Sequence, residues 1–265
     1  MVRPAPPVLS RLLALSLLLV LPGPALGDDA RKLLAESEAR HRTRTQEYEG
    51  GLTVVTKDGK VRKKAWRSYR DGYAGDSRLL IRFTSPPEVK GVGFLSLARS
   101  GKSADQWLYL PSMKRERRIA SQDRDASFVG TDFSYEDMEE FDHTAYDVEL
   151  EGEEAVDGQP AHRIAARPRE AAGRSVYERK TLWLRRDVLY LVRVDLFRKG
   201  EKQPAKRLLL SDLAQVDGKW VARRLEMTDL GKGSRTTVLL TKLSFDRPQP
   251  EGRFTLQNLV REGGD

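Results

Sequence analysis

Helical spacing of apolar residues appears near the start of this chain and gives way to alternation with period two. Over Asp28–His41, residues Ala30, Leu33, Leu34 and His41 share one helical face, with Asp28 or Asp29 placed to cap it. From Tyr48 the pattern is that of strands. Tyr48, Gly50, Leu52 and Val54 alternate with Glu47, Glu49, Gly51 and Thr53 up to a hairpin signal at Asp58-Gly59. A basic strand follows over Val61–Tyr69 with Trp66 as its large apolar anchor, then a turn at Asp71-Gly72. Leu79, Ile81 and Phe83 lie on one face of the next strand, and Arg82 lies opposite. After Pro86-Pro87 and Gly91 come strands over Val92–Leu97, Asp105–Leu110 and Lys114–Ala120, then a polar stretch over Ser121–Asp132. Phe133–Phe141 has room for a helical turn or two.

The second half repeats the theme. Strands are predicted over Ala145–Leu150, Ala161–Ala166, Tyr177–Arg185, Leu189–Phe197, Arg207–Val216, Trp220–Thr228 and Thr236–Phe245. Turn signals separate them: Asp157-Gly158, Ala172-Gly173, Lys199-Gly200, Asp217-Gly218 and Gly231-Lys232-Gly233. The tail carries one apolar cluster, Phe254, Leu256 and Leu259-Val260. Tight turns suit antiparallel neighbours, whereas parallel strands need long crossovers. The pattern therefore predicts a mainly β protein, a large curved antiparallel sheet or open barrel, in a single domain over 28–265.

One dry face per strand decides what such a sheet can hold. Val188, Tyr190, Val192, Val194 and Leu196 read as a continuous apolar face opposite Arg193 and Asp195. Val221, Leu225 and Met227 continue it, interrupted by Arg223, and Leu239, Leu243 and Phe245 extend it. Short helices cover only part of so wide a surface. Either the barrel closes and fills itself or it leaves a cavity, and the pattern leaves both open.

The first residues add a compartment. Arg3 and Arg11 flank a basic region, Leu12–Leu21 is a short apolar run, and Pro22-Gly23-Pro24 breaks it ahead of Ala25-Leu26-Gly27. A spanning helix needs about 20 apolar residues, so this reads as a secretory signal peptide over 1–27, cleaved near Gly27, with soluble export to a bacterial periplasm. The chain has no cysteine, which excludes disulfides and thiolate metal sites and leaves stability to a buried core. A net charge of +8 permits contact with anionic surfaces. Its charges are interspersed and the chain is exported, so nucleic acid is not an expected partner.

Candidate chemistry is sparse. His41, His143 and His162 stand in no metal-ligand spacing, and no GxSxG, GxGxxG or GxxxxGK[ST] motif occurs. No cofactor is expected. A weak hydrolase reading would need His143 or His162 as general base. Two charge clusters invite weighing: basic Lys114, Arg115, Arg117 and Arg118, and acidic Glu136, Asp137, Glu139, Glu140 and Asp142. They read either as docking patches for a partner or headgroup, or as solvated faces pairing loosely for little energy. Aromatic residues are the better signal. Trp107 and Tyr109 share one strand face and Leu108 and Leu110 the other, while Phe128, Phe133 and Tyr135 sit in a loop of small polar residues. Such loop aromatics either plug a barrel end or gate a cavity.

The segments RFTSPPEVKGVGFL, DQWLYLPSMKRERRIA and DASFVGTDFSYEDM, with FTLQNL near the end, resemble the outer-membrane lipoprotein-sorting proteins, the LolA-like periplasmic carriers. The SFVGTDFSYEDM loop is similar to a branch found beside exporters of the resistance–nodulation–division superfamily. The resemblance spans roughly residues 30–260. It implies an incomplete, strongly curved antiparallel β-barrel with short lid helices, a hydrophobic cavity for lipid acyl chains, and neither catalysis nor cofactor. It implies a monomer that carries lipid or lipoprotein from the inner toward the outer membrane, with an inner-membrane exporter as a partner. The alternative is a sensor or adaptor of the same fold, similar to RseB-type regulators, that binds a membrane protein and ferries nothing. Cavity or gate candidates are Phe83, Phe94, Trp107, Tyr109, Phe128, Phe133, Tyr135, Tyr190, Val192, Val194 and Met227, with Lys114, Arg115, Arg117 and Arg118 for docking.

Overall fold

The computed structural model describes Met1 and residues 26–99, 102–169 and 175–261. Most of the expected signal peptide, and the Ala172-Gly173 turn, lie outside the described residues. Helix α1 (Leu26–His41) opens the described chain, followed by β1 (Thr45–Val55), β2 (Val61–Tyr73), β3 (Asp76–Ser85), β4 (Gly93–Arg99), β5 (Lys102–Leu110) and β6 (Arg115–Arg118). The second run is β7 (Tyr146–Val156), β8 (Gln159–Pro168), β9 (Tyr177–Arg185), β10 (Tyr190–Arg198), β11 (Lys206–Val216), β12 (Lys219–Asp229) and β13 (Ser234–Phe245), closed by helix α2 (Leu256–Arg261).

All thirteen strands form one antiparallel sheet in the order β6-β5-β4-β3-β2-β1-β13-β12-β11-β10-β9-β8-β7. Two meanders, β1 to β6 and β7 to β13, meet along the β1–β13 seam. The sheet curves without closing, so β6 and β7 are its free edges and the barrel expected from the sequence is incomplete. Between those edges the chain runs over residues 119–145 with only single helical turns, at Ser121–Asp123, Glu136–Met138 and His143–Ala145. Phe133–Phe141, with room for a helical turn or two, forms one such turn.

Both faces of β3 and β4 are covered. Ile81, Phe83, Phe94 and Leu108 pack inward against Phe128 and Tyr135. On the outer face Leu80, Leu95 and Tyr109 are sealed by Phe254 and Leu259. Arg82, expected on a wet face, is buried there, and its guanidinium donates to the carbonyls of Gly91 (3.0 Å) and Leu259 (2.8 Å). The other half of the sheet packs Val148, Ile164, Leu182, Val194, Leu196 and Met227 against Ala30 and Leu34 of α1.

Three local expectations are corrected. The β2–β3 turn falls at Ala74-Gly75, and Gly72 pairs with Ser77 inside the hairpin. A Cβ on Gly72 would lie 2.2 Å from the Asp76 carbonyl oxygen, so this glycine serves a close approach of backbones. In β10 the register slips between Leu191 and Arg193, and Val192 joins Ala161, Trp183 and Leu213 in a separate cluster instead of continuing the Val194–Leu196 face. In β13 a slip opposite Glu49/Gly50 breaks the predicted face: Leu239 is exposed, Val238 and Leu240 face inward, and Phe245 is buried. Bulges insert one residue and reverse the alternation beyond it.

The β1–β13 bulge depends on a bare α-carbon at Gly50, where a Cβ would stand 2.4 Å from the Leu239 carbonyl oxygen. At neighbouring Gly51 the nearest atom would be Lys64 O at 3.6 Å, an ordinary contact. Gly50→Ala is expected to cost about 1–3 kcal/mol of unfolding free energy and Gly51→Ala to lie within about 1 kcal/mol of the parent, both read from urea midpoints.

A strapped apolar trough

Leu79, Ile81 and Phe83 of β3 line the same cavity as Leu208 of β11, Leu225 of β12 and Val238 and Leu240 of β13. Strands so far apart in sheet order share one space only on the concave side. The cavity holds about 270 Å³, and Tyr48, Leu52 and Trp66 complete its sheet wall. Its roof is the chain between the sheet edges, contributing Phe128, Thr131, Phe133, Asp137 and Met138. Past Tyr48 lies a second space of about 270 Å³, lined with aromatic residues Tyr73, Tyr190, Trp220 and Phe245 beside His41 and Arg42. Tyr48 borders both and meets Phe245 edge-on at 6.2 Å.

The roof is a strap held by charge. Asp137 and Lys206 pair at 2.8 Å, each side chain only 4% exposed. Asp137 also accepts from the Tyr177 hydroxyl at 2.8 Å and from the Ser134 backbone N–H and hydroxyl at 2.8 and 2.9 Å. Burial, reinforced by the Asp137 carboxylate, pushes the Tyr177 phenol well above its ordinary value, so it stays a donor. Glu136 accepts from the Val176 backbone N–H at 2.9 Å and from the Ser175 hydroxyl. Arg124 donates to Glu139 at 2.8 Å. Burial raises the Glu139 carboxyl, and Arg124 opposes that shift. At the far side Asp132 accepts from the hydroxyls of Ser234 and Thr236, Lys64 donates to the Val129 carbonyl, and Gln106 Nε2 donates to Tyr135 O at 2.9 Å.

The sequence-derived candidates scatter. Phe83, Phe128 and Phe133 line the trough. Phe94 and Tyr135 stand behind, with ring centroids 5.0 and 5.9 Å from Phe128. Trp107 and Tyr109 belong to the outer cluster under α2. Val194 and Met227 pack in the core beneath α1, Val192 lies in the separate cluster with Trp183, and Tyr190 lines the aromatic second space. Lys114, Arg115, Arg117 and Arg118 are exposed on and beside the free edge strand β6. Two members of the acidic cluster, Glu136 and Asp137, are buried strap anchors, while Glu140 stays exposed and pairs with Arg70. Sequence reading missed Leu208, Val238 and Leu240, although alternation at Leu208/Leu210 and Val238/Leu240 was the available signal; Leu225 it set on the dry face and Trp66 it named as a strand anchor, without naming either as a cavity residue.

His143 Nδ1 sits 3.4 Å from Glu38, and His162 Nδ1 sits 3.5 Å from Glu153. Among the described residues no group of three or more His, Cys, Asp or Glu side chains could hold a metal ion. No helix among them is long and apolar enough to cross a membrane.

The unclosed, curved antiparallel sheet recurs in solved structures of other proteins. A LolA superfamily protein from Nitrosomonas europaea shares the fold at a TM-score of 0.67 and 15% identity, covering 85% of this chain and 97% of its own. Residues 75–261 match the model of a family described as uncharacterized protein, and the chain belongs to that family. A DUF1329 family protein from Desulfovibrio piger superposes at a TM-score of 0.84 with 26% identity, over 89% of this chain and all of the other. A domain from Vibrio parahaemolyticus named for outer membrane lipoprotein sorting gives 0.82 and 24% over the same shares. No curated protein matches the sequence.

Lys206→Met would leave Asp137 buried without its cation. It is expected to cost about 3–5 kcal/mol in urea unfolding and to speed amide exchange across residues 124–139 ahead of the β1–β13 seam.

Proposed function

We propose that the protein is a non-catalytic periplasmic carrier whose trough takes an acyl chain of lipid or lipoprotein and moves it from the inner toward the outer membrane. The observation that carries this reading is the strapped hollow of about 270 Å³, walled by Leu, Ile, Val, Phe and Trp side chains. Burying each methylene contributes about 0.8 kcal/mol, so an apolar trough holds a chain without directional bonds. Polar groups at its border, Asp137 and Thr131, are engaged with the protein itself and need no ligand to satisfy them. The second space beyond Tyr48 offers room for the remainder of a longer chain. Release follows when the strap lifts or a more apolar acceptor competes. The carrier acts as a monomer beside a resistance–nodulation–division exporter, a pairing supported by the branch-specific SFVGTDFSYEDM loop.

The test is uptake of a fluorescent fatty acid by delipidated protein, with native mass spectrometry of the gently purified form. The parent is expected to bind and to co-purify with lipid. Leu225→Trp and Val238→Trp, which fill the trough, should weaken uptake by about ten-fold or more, as loss of a few buried methylenes requires. Delipidated parent protein that takes up no acylated probe would falsify the carrier reading, and stable capture of a membrane protein without lipid would favour the adaptor.

A further inference from the structure

Strand direction sorts the hairpin turns onto two rims. One rim carries the turns β1–β2, β3–β4, β5–β6, β10–β11 and β12–β13, and the other carries β2–β3, β7–β8, β9–β10 and β11–β12. The first rim presents exposed Lys57, Lys60, Lys90, Lys114, Lys199 and Lys232 against Asp58, Glu88 and Glu201. The described turns of the second rim hold no lysine and display Asp157, Asp187 and Asp217 beside exposed Arg186, with Asp187 paired to Arg185 at 2.5 Å and exposed Arg99 and Lys102 flanking the β4–β5 connection. Lys60 and Lys232 are engaged with Asp58 (2.8 Å) and Asp229 (3.1 Å), yet both remain largely solvent-accessible.

The most exposed large apolar side chains at hairpin turns fall on the lysine rim, while Tyr73 (36%) borders the β2–β3 turn of the other rim and Leu239 and Leu256 lie on neither. Val61 (56% exposed), Met113 (53%) and Leu230 (44%) all sit at turns of the lysine rim. Single exposed apolar residues are normal on any surface, but these stand among cations. The β1–β2 and β12–β13 turns touch, since a Cβ on Gly233 would lie 3.5 Å from the Lys57 side chain. This brings Val61, Leu230, Lys57 and Lys232 to one stretch of the rim. The strap is pinned at the same end, through Asp132 to Ser234 and Thr236 at the start of β13 and through Lys64 to Val129.

We infer that the lysine rim docks on an anionic lipid bilayer, with Leu230, Val61 and Met113 entering the headgroup layer and the lysines facing acidic headgroups. Lysine clusters are drawn to anionic leaflets, and apolar tips add affinity that salt does not screen. The turn lysines and the most exposed apolar tips gather at the strapped end, so the bilayer meets that end. This surface lies outside the trough and stands whether or not the trough carries an acyl chain.

The experiment is flotation of the purified full-length protein with protein-free vesicles of phosphatidylglycerol and phosphatidylethanolamine, against vesicles of phosphatidylcholine. Binding to the anionic vesicles is expected to be about ten-fold tighter or more, and to weaken on raising salt from ~0.1 M to ~1 M. Lys57→Glu with Lys199→Glu should lower it by about ten-fold or more, and Leu230→Ser with Met113→Ser should remove most of the salt-resistant remainder. Asp157→Asn with Asp217→Asn on the opposite rim should change it by less than about two-fold. Fatty-acid uptake by the lysine variant in solution should equal that of the parent, which separates docking from cargo binding. Equal binding to both vesicle types, or equal effects from the two rims, overturns the proposal. Retention only by vesicles that contain inner-membrane proteins overturns it in favour of a protein receptor.

Discussion

The Asp137–Lys206 pair is the constraint on which the site depends. Two opposite charges taken out of water gain little over an apolar pair, because desolvation consumes most of their attraction. What they supply is uniqueness of placement. Hydrogen bonds from Tyr177 and Ser134 saturate the carboxylate, so the strap has one position in which Asp137 is satisfied. Displacing the strap by a residue would strand both charges. A loop of small polar residues thereby becomes a roof with a defined height above the sheet. The roof is held both by these polar contacts and by Phe128, Tyr135 and Phe133, which pack onto the sheet at the border of the hollow.

The unclosed sheet makes that arrangement possible. Closing β6 onto β7 would satisfy two edges but would push the chain between them outside. Left open, the sheet lets residues 119–145 cross its concave side, and Phe133 packs against the cores of both halves. Helix α1 covers one half from inside, and α2 seals the outer face of β3–β5. Edge exposure is handled by chemistry: β6 is short and reads Arg-Glu-Arg-Arg, an edge that resists pairing with another chain.

Much of this was legible in the sequence. Alternation and turn residues located the strands, and β9 has the bounds that its pattern predicts. The split of Trp107 and Tyr109 from Leu108 and Leu110 is the outer and inner face of β5. Other features were hidden for physical reasons. A bulge leaves no glycine or proline mark at Val192 or Thr241, yet it reverses every face beyond it. Two glycines within four residues, Gly72 and Gly75, make the turn ambiguous until pairing settles it. Glu136 and Asp137 look like surface acids because their partners, Lys206 and Val176, lie far along the chain. The trough was named as a site only where aromatic residues mark it, at Phe83, Phe128 and Phe133, although alternation had set Tyr48, Leu52, Leu79, Ile81 and Leu225 on apolar faces. Its aliphatic wall on β11–β13 resembles any strand interior.

The β1–β13 seam carries a consequence for how the molecule is made. Gly50 is paired with Leu240, so a strand synthesised first must wait for nearly the last one. Until then β1 is an open template, and neither meander has its roof. Pairings of such long sequence separation form slowly. A nascent chain therefore stays loose until β13 has been made, and the strapped hollow takes shape only in the last stage of folding.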